Sequence, residues 1–217
     1  MTIVIDDLGR SLDEVDRLLA LEEPITFAVL PYEVRTAEVV AALRSHGAEY
    51  LCHLPMEAKG SADPGPGALE LTMAHDELRA TTRRALAAVP GAVGVNNHMG
   101  SGISSERRAI ATVLGVIAEQ GLSYLDSRTA ADTVGFEVAR QLGIPAAERH
   151  VFLDSDRSPE SIRRQFETLL EQARQRGSAI AIGHPYPETL DVLQTELPRA
   201  REAGFVVVPL SHVLIDG

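Results

Sequence analysis

The chain has 217 residues, of which 45% are hydrophobic and 24% charged, and its formal net charge is −11 at pH 7. This length allows a substantial buried core, and average glycine and proline contents exclude collagen-like and disordered classes. No uninterrupted apolar run reaches the roughly 18 residues that a membrane-spanning helix needs. The acidic balance disfavours a nucleic-acid-binding protein, because such a protein displaces phosphate counterions with a basic face.

Short apolar runs alternate with longer amphipathic segments along the chain. Most of the runs are continuously apolar, which is typical of strands buried on both faces of a parallel sheet. The segments between them predict about seven helices. The predicted strands are Ile3–Asp6, Ile25–Leu30, Glu49–Leu54, Ala92–Asn96, Leu122–Asp126, His150–Leu153, Ala179–Gly183 and Phe205–Pro209.

Two of the predicted helices carry clear signals. In Glu106–Gln120 the apolar residues recur three and four positions apart, which is the spacing of one helix face. The helix Ser158–Arg176 begins with Ser158 and Pro159, a favourable N-cap and first-turn pair. Glycines that follow helical segments are expected to end them in a left-handed conformation. These glycines are Gly47, Gly121, Gly143, Gly177 and Gly204.

The alternation of strands and helices implies repeated right-handed crossovers. A closed α/β barrel and an open doubly wound sheet both satisfy this order. No internal repeat or linker is evident, so we predict a single domain over residues 1–217. The glycine- and proline-rich segment Glu57–Gly67 follows the third predicted strand and is a candidate lid.

Polar and ionisable side chains stand at the carboxyl ends of most of the predicted strands. Parallel strands bring these ends to one face, and in α/β barrels that face carries the active site. The distribution therefore predicts an enzyme. The residues concerned are Asp6, Asp7, His53, Asn96, Asn97, His98, Asp126, Asp154 and His184.

This set combines carboxylates with imidazoles, and one Asp with two or three His is the ligand set of a zinc-type divalent site. A catalytic metal site keeps one position open for water and polarises a carbonyl. His184 follows a deeply apolar strand, which places it well as a general acid or base. The sole lysine, Lys59, lies in the long loop, so a Schiff-base mechanism is disfavoured.

Each of these residues also has a purely structural interpretation. Asp6 or Asp7 is a possible cap of the helix that follows, His53 a possible core histidine, and the run Asn96–His98 a possible asparagine-rich turn. We expect the remaining histidines and Cys52, a small buried hydrophobe, to be structural. Those histidines are His46, His75, His150 and His212.

Five motifs together resemble the divergent polysaccharide deacetylase family, a distant branch of the NodB-like carbohydrate esterases. The resemblance implies a distorted (β/α) barrel of seven or eight mostly parallel strands. It also implies metal-dependent hydrolysis of an acetyl group on a sugar. The motifs that carry it are Ile3–Gly9, His53–Glu57, Gly94–Ser101, Leu125–Thr129 and Ala179–Pro185.

By this resemblance Asp6 is a general base, and His184 is the acid that protonates the leaving group. A divalent metal, with zinc as first choice, is then held by Asp7, His53 and His98. Glu57 stands where NodB-like enzymes carry a second histidine ligand, so it is a candidate fourth ligand or a supporting residue of the site.

The substrate contacts follow from the same comparison. Asn97, or the backbone around Met99 and Gly100, is expected to stabilise an oxyanion. Asp126 and Arg128 are expected to bind substrate or orient the residues that do. The partner is then an acetylated carbohydrate, and relatives of this kind imply a periplasmic or cell-envelope location. No leader is evident in the sequence.

Two alternatives remain open at this stage. The first is another metal-dependent reaction on the same barrel, such as that of an amidase or a phosphoesterase, although no phosphate-cradling glycine motif is present. The second is a glycan-binding envelope protein that has the fold but little or no turnover. The absence of tryptophan leaves only Tyr32 and Tyr186 as aromatic residues close to strand ends that could stack on a sugar.

Overall fold

The computed structural model describes residues 1–215, so the predicted domain end at residue 217 lies outside the described residues. Strands and helices alternate through the described chain, except that the sixth strand is followed directly by the seventh. The strands are β1 Thr2–Leu8, β2 Thr26–Val29, β3 Tyr50–Met56, β4 Gly94–Met99, β5 Ser123–Asp126, β6 Ala146–Glu148, β7 Val151–Phe152 and β8 Ile180–Gly183. The helices are α1 Leu12–Leu19, α2 Thr36–Ser45, α3 His75–Ala88, α4 Arg107–Glu119, α5 Gly135–Gln141, α6 Pro159–Arg176 and α7 Pro187–Glu202, with 3₁₀ turns at Ile103–Ser105 and Leu210–His212.

Eight parallel strands form one sheet in the order β6-β5-β4-β3-β2-β1-β8-β7. The sheet curls into a half-barrel with helices between most of the strands, which confirms the distorted barrel that the family resemblance implies. All the carboxyl ends of the strands therefore lie at one mouth. Among residues 1–215 no helix is long and apolar enough to cross a bilayer.

The two edge strands of this sheet are consecutive in the chain. β6 pairs with β5 and β7 pairs with β8, and only Arg149 and His150 separate them. The Arg149 N–H donates to the Asp126 carbonyl and the His150 N–H to the Ile180 carbonyl, both at 2.9 Å. Residues 146–152 thus leave one edge of the sheet and join the other, and they bridge the seam of the curl.

Two apolar clusters hold the sheet. The larger one packs the outer face against the helices and includes Ile3, Ile5, Leu114 and Phe166. The smaller one fills the interior of the curl, and its members come from six strands and from the C-terminal 3₁₀ turn. These buried residues are Val4, Ala28, Leu51, Leu125, Ala147, Ile180, Ile182 and Leu210. The interior is therefore packed beneath the mouth.

Helix termini agree with the sequence signals. The Ser158 hydroxyl accepts from the Ser161 N–H at 3.3 Å, and Pro159 is the first residue of α6. Gly177 follows α6 with φ of 83°, a conformation that costs a residue with a Cβ about 1 kcal/mol. The other four glycines also have positive φ.

One predicted strand is wrong and one strand was missed. Phe205–Pro209 is irregular because β1, the strand that it approaches, is already paired on both sides by β2 and β8. The segment instead bonds to Met1 and Thr2 through the backbone of Val206 and Val208. The missed strand is Ala146–Glu148, which is only 3 residues long and has no β-branched residue.

Candidate active site

The alternation of side chains along strands brings three of the predicted residues to the mouth. Residues two apart in a strand share a face. Val4, Leu51 and Ile182 belong to the interior cluster. Asp6, His53 and His184 each stand two positions further along the same strand or just beyond its end, and they line the cleft above that cluster.

Asp7 reaches the mouth by a different route. In a regular strand its side chain would face away from that of Asp6. The register between β1 and β2 shifts between Ile5 and Leu8, and Asp7 has φ of 59°, in the left-handed region. Such irregularities in a strand redirect a side chain. Asp7 therefore joins the interior group that Asp6 already occupies.

Asp7, His53 and His98 converge on one point. Asp7 Oδ1 lies 3.2 Å from His53 Nε2 and 2.9 Å from His98 Nδ1, and the two imidazole nitrogens are 3.2 Å apart. Asp7 Oδ1 is buried, yet it forms no hydrogen bond with good geometry to any described residue. One oxygen and two nitrogens in this arrangement fit a divalent metal with an open coordination position.

The surroundings of Asp6 and Asp7 shift the pKa values of these two carboxyls in opposite directions. Burial opposes ionisation of Asp7, but its short contacts with His53 and His98 outweigh burial and hold its pKa well below the usual range. Burial raises the pKa of Asp6 above its ordinary value, against the attraction of His53 and His184. Asp7 is thus suited to bind a cation and Asp6 to accept a proton.

Asn96, which the sequence analysis placed at a strand end without a role, connects Asp6 with His53. Its Nδ2 donates to Asp6 Oδ1 at 2.8 Å, and its Oδ1 lies 2.9 Å from His53 Nδ1. Because Oδ1 can only accept, His53 carries its proton on Nδ1. The lone pair of His53 Nε2 therefore faces Asp7 and His98.

His184 forms a pair with Asp154, another strand-end residue that the sequence left unassigned. His184 Nδ1 lies 2.9 Å from Asp154 Oδ1, and Asp154 Oδ2 accepts from the His184 N–H and the Thr189 hydroxyl. Burial lowers the pKa of His184, but the hydrogen bond and charge of Asp154, with Asp6 and Asp7, raise it to about 8. His184 Nε2 faces the site, 3.9 Å from Asp7 Oδ2.

Asp6, His53, His98 and His184 border a cleft of about 340 Å³. Met99, Phe152 and Ile182 give it an apolar part. Arg149, which sequence reasoning missed, lines it together with Arg128. Arg149 belongs to the short link between β6 and β7, a segment that carries no recognisable motif.

Asn97, which lines the cleft, and Asp126, both predicted to contact substrate, form hydrogen bonds with the surrounding loops. The Asn97 amide donates to the Met99 carbonyl and accepts from the Ser127 N–H, so both of its ends are engaged. Asp126 is fully buried, and its carboxylate accepts from the Arg128 N–H and from the loop that begins α5. Both side chains hold the loops around the cleft.

Glu57 lies outside the metal-ligand group. Its carboxylate accepts from the Leu71 N–H at 2.6 Å, so it holds the long loop in place. Lys59 in that loop forms an ion pair with Asp132 at 2.6 Å. Residues 63–66 of the loop border a second, smaller groove of about 100 Å³ that His98 also lines. The loop therefore flanks the site next to His98.

The remaining histidines lie outside the cluster, as predicted. His46 Nδ1 lies 2.9 Å from the Ala42 carbonyl at the end of α2. His75 is exposed at the start of α3. His150 Nδ1 accepts from the Ile180 N–H, and His212 lies in the last 3₁₀ turn. Cys52 is fully buried, and burial raises the pKa of its thiol to about 12.

Comparison with solved structures places the fold among known ones. An uncharacterized protein from Agrobacterium tumefaciens C58 superposes with a TM-score of 0.89 at 24% identity, over 98% of this chain and 87% of that one. The catalytic domain of a peptidoglycan N-acetylglucosamine deacetylase from Eubacterium rectale gives 0.58 at 11% identity, over 96% and 87%. A CE4 family pseudoenzyme from Bacillus anthracis gives 0.57 at 14% identity, over 98% and 64%. These likenesses show a fold that active and inactive proteins share.

Sequence comparison is more specific. An uncharacterized protein from Haemophilus influenzae is 34% identical over 197 residues, which cover 91% of this chain and 70% of the relative. The uncharacterized protein YibQ from Escherichia coli K12 is 37% identical over 194 residues, and the match spans 89% of this chain but only 61% of YibQ. Residues 3–214 match the family described as divergent polysaccharide deacetylase. The chain belongs to the divergent polysaccharide deacetylase family.

Proposed function

We propose that the protein is a metal-dependent hydrolase that removes acetyl groups from an amino sugar or a polysaccharide. The observation that carries the proposal is the arrangement of two units at one mouth. The convergent ligand atoms of Asp7, His53 and His98 face the hydrogen-bonded pair of His184 and Asp154. Asp6 lies beside both units. Family membership supports the same reaction class.

Asp7, His53 and His98 would hold the metal, with zinc as the first choice for a donor set of one oxygen and two nitrogens. A bound divalent metal supplies Lewis-acid polarisation of the acetyl carbonyl and lowers the pKa of a water. Asn96 fixes the tautomer of His53 so that Nε2 is free to bind.

Asp6 is the residue we assign as general base. Its Oδ2 lies 3.6 Å from His53 Nε2, so a water held near the ligand atoms would be within its reach. Burial raises the pKa of Asp6, which makes the carboxylate a better proton acceptor. The Asn96 amide holds Oδ1, which leaves Oδ2 directed toward the ligands.

His184 is the residue we assign as general acid. Asp154 accepts from its Nδ1, which raises the pKa of His184 to about 8 and keeps a proton on the ring at neutral pH. Nε2 faces the cleft and can donate that proton to the departing amine or alkoxide. The Tyr186 ring stacks on the imidazole at 5.3 Å and limits its rotation.

The substrate that we propose is inferred from membership of the divergent polysaccharide deacetylase family. Met99, Phe152 and Ile182 offer an apolar surface for the acetyl methyl group. Because the Asn97 amide is engaged at both ends, we assign oxyanion stabilisation to the backbone around Met99 and Gly100. An acetylated envelope glycan is the substrate we propose, with a periplasmic or cell-envelope location.

The test is acetate release from acetylated chito-oligosaccharides and peptidoglycan fragments, with and without a chelator. We expect release that stops on chelation and returns with zinc. Asp6→Asn and His184→Ala should abolish release while zinc remains bound, because neither residue is a ligand. Bound zinc without release from any acetylated substrate would favour a glycan-binding protein instead.

A further inference from the structure

The Arg149 side chain lies in the proposed cleft, beside the seam of the sheet. Its Nε donates to the Ser127 carbonyl at 2.6 Å, and one terminal nitrogen donates to the Arg128 carbonyl at 2.8 Å. The guanidinium also lies over the Phe152 ring, 4.8 Å from its centroid. Guanidinium has five N–H groups, so these two bonds leave three of them for another partner.

Among residues 1–215 no carboxylate lies at ion-pair distance from Arg149, although the charges of Asp6 and Asp126 attract its guanidinium from further away. Its hydrogen bonds go to backbone carbonyls, and no carboxylate forms an ion pair with it. Arg128, the other arginine of the cleft, is paired with Glu148 at 2.8 Å. Burial lowers the pKa of the Arg149 guanidinium, as expected for a cation removed from water. Direct pairing with an anionic group of a ligand would offset the cost of burying this charge.

The negative charge of the rest of the molecule makes the Arg149 guanidinium important for binding an anionic ligand. The chain carries a net charge of −11, which disfavours the approach of anionic ligands. Asp6 and Asp7 also lie in the mouth, so an anionic substrate needs a local cation on the cleft wall. Arg149 lines the same cleft as His53, His98 and His184, so it can reach a molecule bound there.

We propose that the substrate carries an anionic group, a carboxylate or a phosphate, that binds Arg149 while its acetyl group lies at the Asp7–His53–His98 cluster. The inference rests on the proposed function and narrows its substrate class from acetylated sugars to acidic acetylated sugars. Arg149 is a specificity-determining residue in this scheme, and it takes no part in the proton transfers.

Matched ligands test the inference by direct binding to the purified protein. N-acetylmuramic acid differs from N-acetylglucosamine by a lactyl carboxylate, and N-acetylglucosamine 6-phosphate differs from it by a phosphate. We expect at least one of the acidic sugars to bind about 10-fold or more tightly than the neutral sugar, the effect of a charge-assisted hydrogen bond. The two acidic ligands distinguish carboxylate from phosphate recognition.

Substitutions separate recognition from a structural role. Arg149→Met should abolish the preference for the acidic sugar, and Arg149→Lys should keep part of it, because the charge remains without the planar fork. If Arg149 acted only through its bonds to Ser127 and Arg128, their loss would weaken the binding of both sugars equally. The ratio of the two affinities would then be unchanged. Arg174→Met is the matched control, since Arg174 also lies 4.8 Å from the centroid of an aromatic ring, that of Phe205, but outside the cleft.

The outcomes are distinct. Three results would each overturn the inference. The neutral sugar binds as tightly as both acidic sugars, or the ratio of acidic to neutral affinity is unchanged in Arg149→Met. The third is that neither acidic sugar binds in the millimolar range. Acetate release is measured separately on the same sugars. An acidic preference that depends on Arg149, without acetate release, supports the inference and contradicts the proposed reaction.

Discussion

Asn96 donates a hydrogen bond from its Nδ2 to Asp6 Oδ1 at 2.8 Å, which ties the proposed base to the middle of β4. The same amide accepts from His53 Nδ1, so one uncharged side chain positions both the proposed base and a proposed metal ligand. Asn96 is fully buried, and His53 stands opposite it in the β3–β4 register. Supporting residues of this kind often determine how well a metal is held.

We therefore predict that Asn96→Leu weakens zinc binding by about 10- to 100-fold, because His53 loses the bond that fixes its tautomer and ring orientation. The measurement is a competition titration against a fluorescent chelator. Thermal unfolding of the metal-free variant serves as the control for folding. Zinc affinity equal to that of the wild type in a folded variant would contradict this role.

Removal of either proposed histidine ligand should abolish stoichiometric zinc binding. His53→Ala and His98→Ala leave two of the three ligand atoms, too few for a tight site. His75→Ala is the matched control, since its side chain is 66% exposed at the start of α3. Zinc at 100 times its Kd should stabilise the wild type and His75→Ala by about 2.7 kcal/mol and leave the two ligand variants unchanged.

That measurement requires metal analysis of dialysed protein together with thermal shifts at several zinc concentrations. A full equivalent of zinc in either ligand variant would refute the assignment of that histidine.

Asp154→Asn should lower the pKa of His184 in the metal-free protein from about 8 toward or below its ordinary value, because the carboxylate charge is lost and burial remains. The ring proton titration of His184, followed by NMR, checks this directly. A pKa that remains near 8 in the variant would show that Asp154 does not raise it.

The same pair predicts a pH dependence of stability. A histidine with a pKa raised in the folded state contributes stability that is full below its unfolded pKa of about 6.5 and is lost as the pH rises through about 8. The contribution at low pH is about 2 kcal/mol. The difference in free energy of unfolding between wild type and Asp154→Asn should thus shrink between about pH 6 and pH 9. Denaturant unfolding across that range is the measurement.

Gly100→Ala should destabilise the protein by about 2–4 kcal/mol, the sum of a left-handed conformation and overpacking. Gly100 has φ of 83°, and a Cβ there would lie 2.9 Å from the Cβ of buried Met56. Gly47→Ala is the control, since Gly47 has φ of 64° and nothing within 4 Å of the new atom. Equal losses for the two variants in denaturant unfolding would show that the contact with Met56 is unimportant.

Much of the fold and part of the site can be predicted from the sequence because they depend on the spacing of apolar residues along strands and helices. Continuous apolar runs predict buried parallel strands, and the two-residue repeat of a strand orients Asp6, His53 and His184 toward the mouth. The orientation of Asp7 was not predictable in this way. It depends on a register shift and a left-handed residue, neither of which has a signature in the run Ile3–Leu8.

Strand-end position alone does not separate site residues from structural ones. Asp126 ends β5, and Asp6 similarly lies near the end of β1. The loop after β5, however, folds back and donates hydrogen bonds to both Asp126 carboxylate oxygens. Asn96 and Asn97 are adjacent amides of one strand that face opposite ways, and only the structure shows which one contacts the ligands. Arg149 was missed because β6, the strand that precedes it, was not predicted and the link itself carries no recognisable motif.

The same two-residue link, Arg149 and His150, closes the sheet and carries the residue to which we assign substrate selection. The backbone hydrogen bonds from Arg149 to Asp126 in β5 and from His150 to Ile180 in β8 connect the two edges of the sheet. A residue inserted between Arg149 and His150 would widen the seam and move the unpaired guanidinium at the same time. We therefore expect an insertion at this link to change the barrel geometry and the proposed charge preference together.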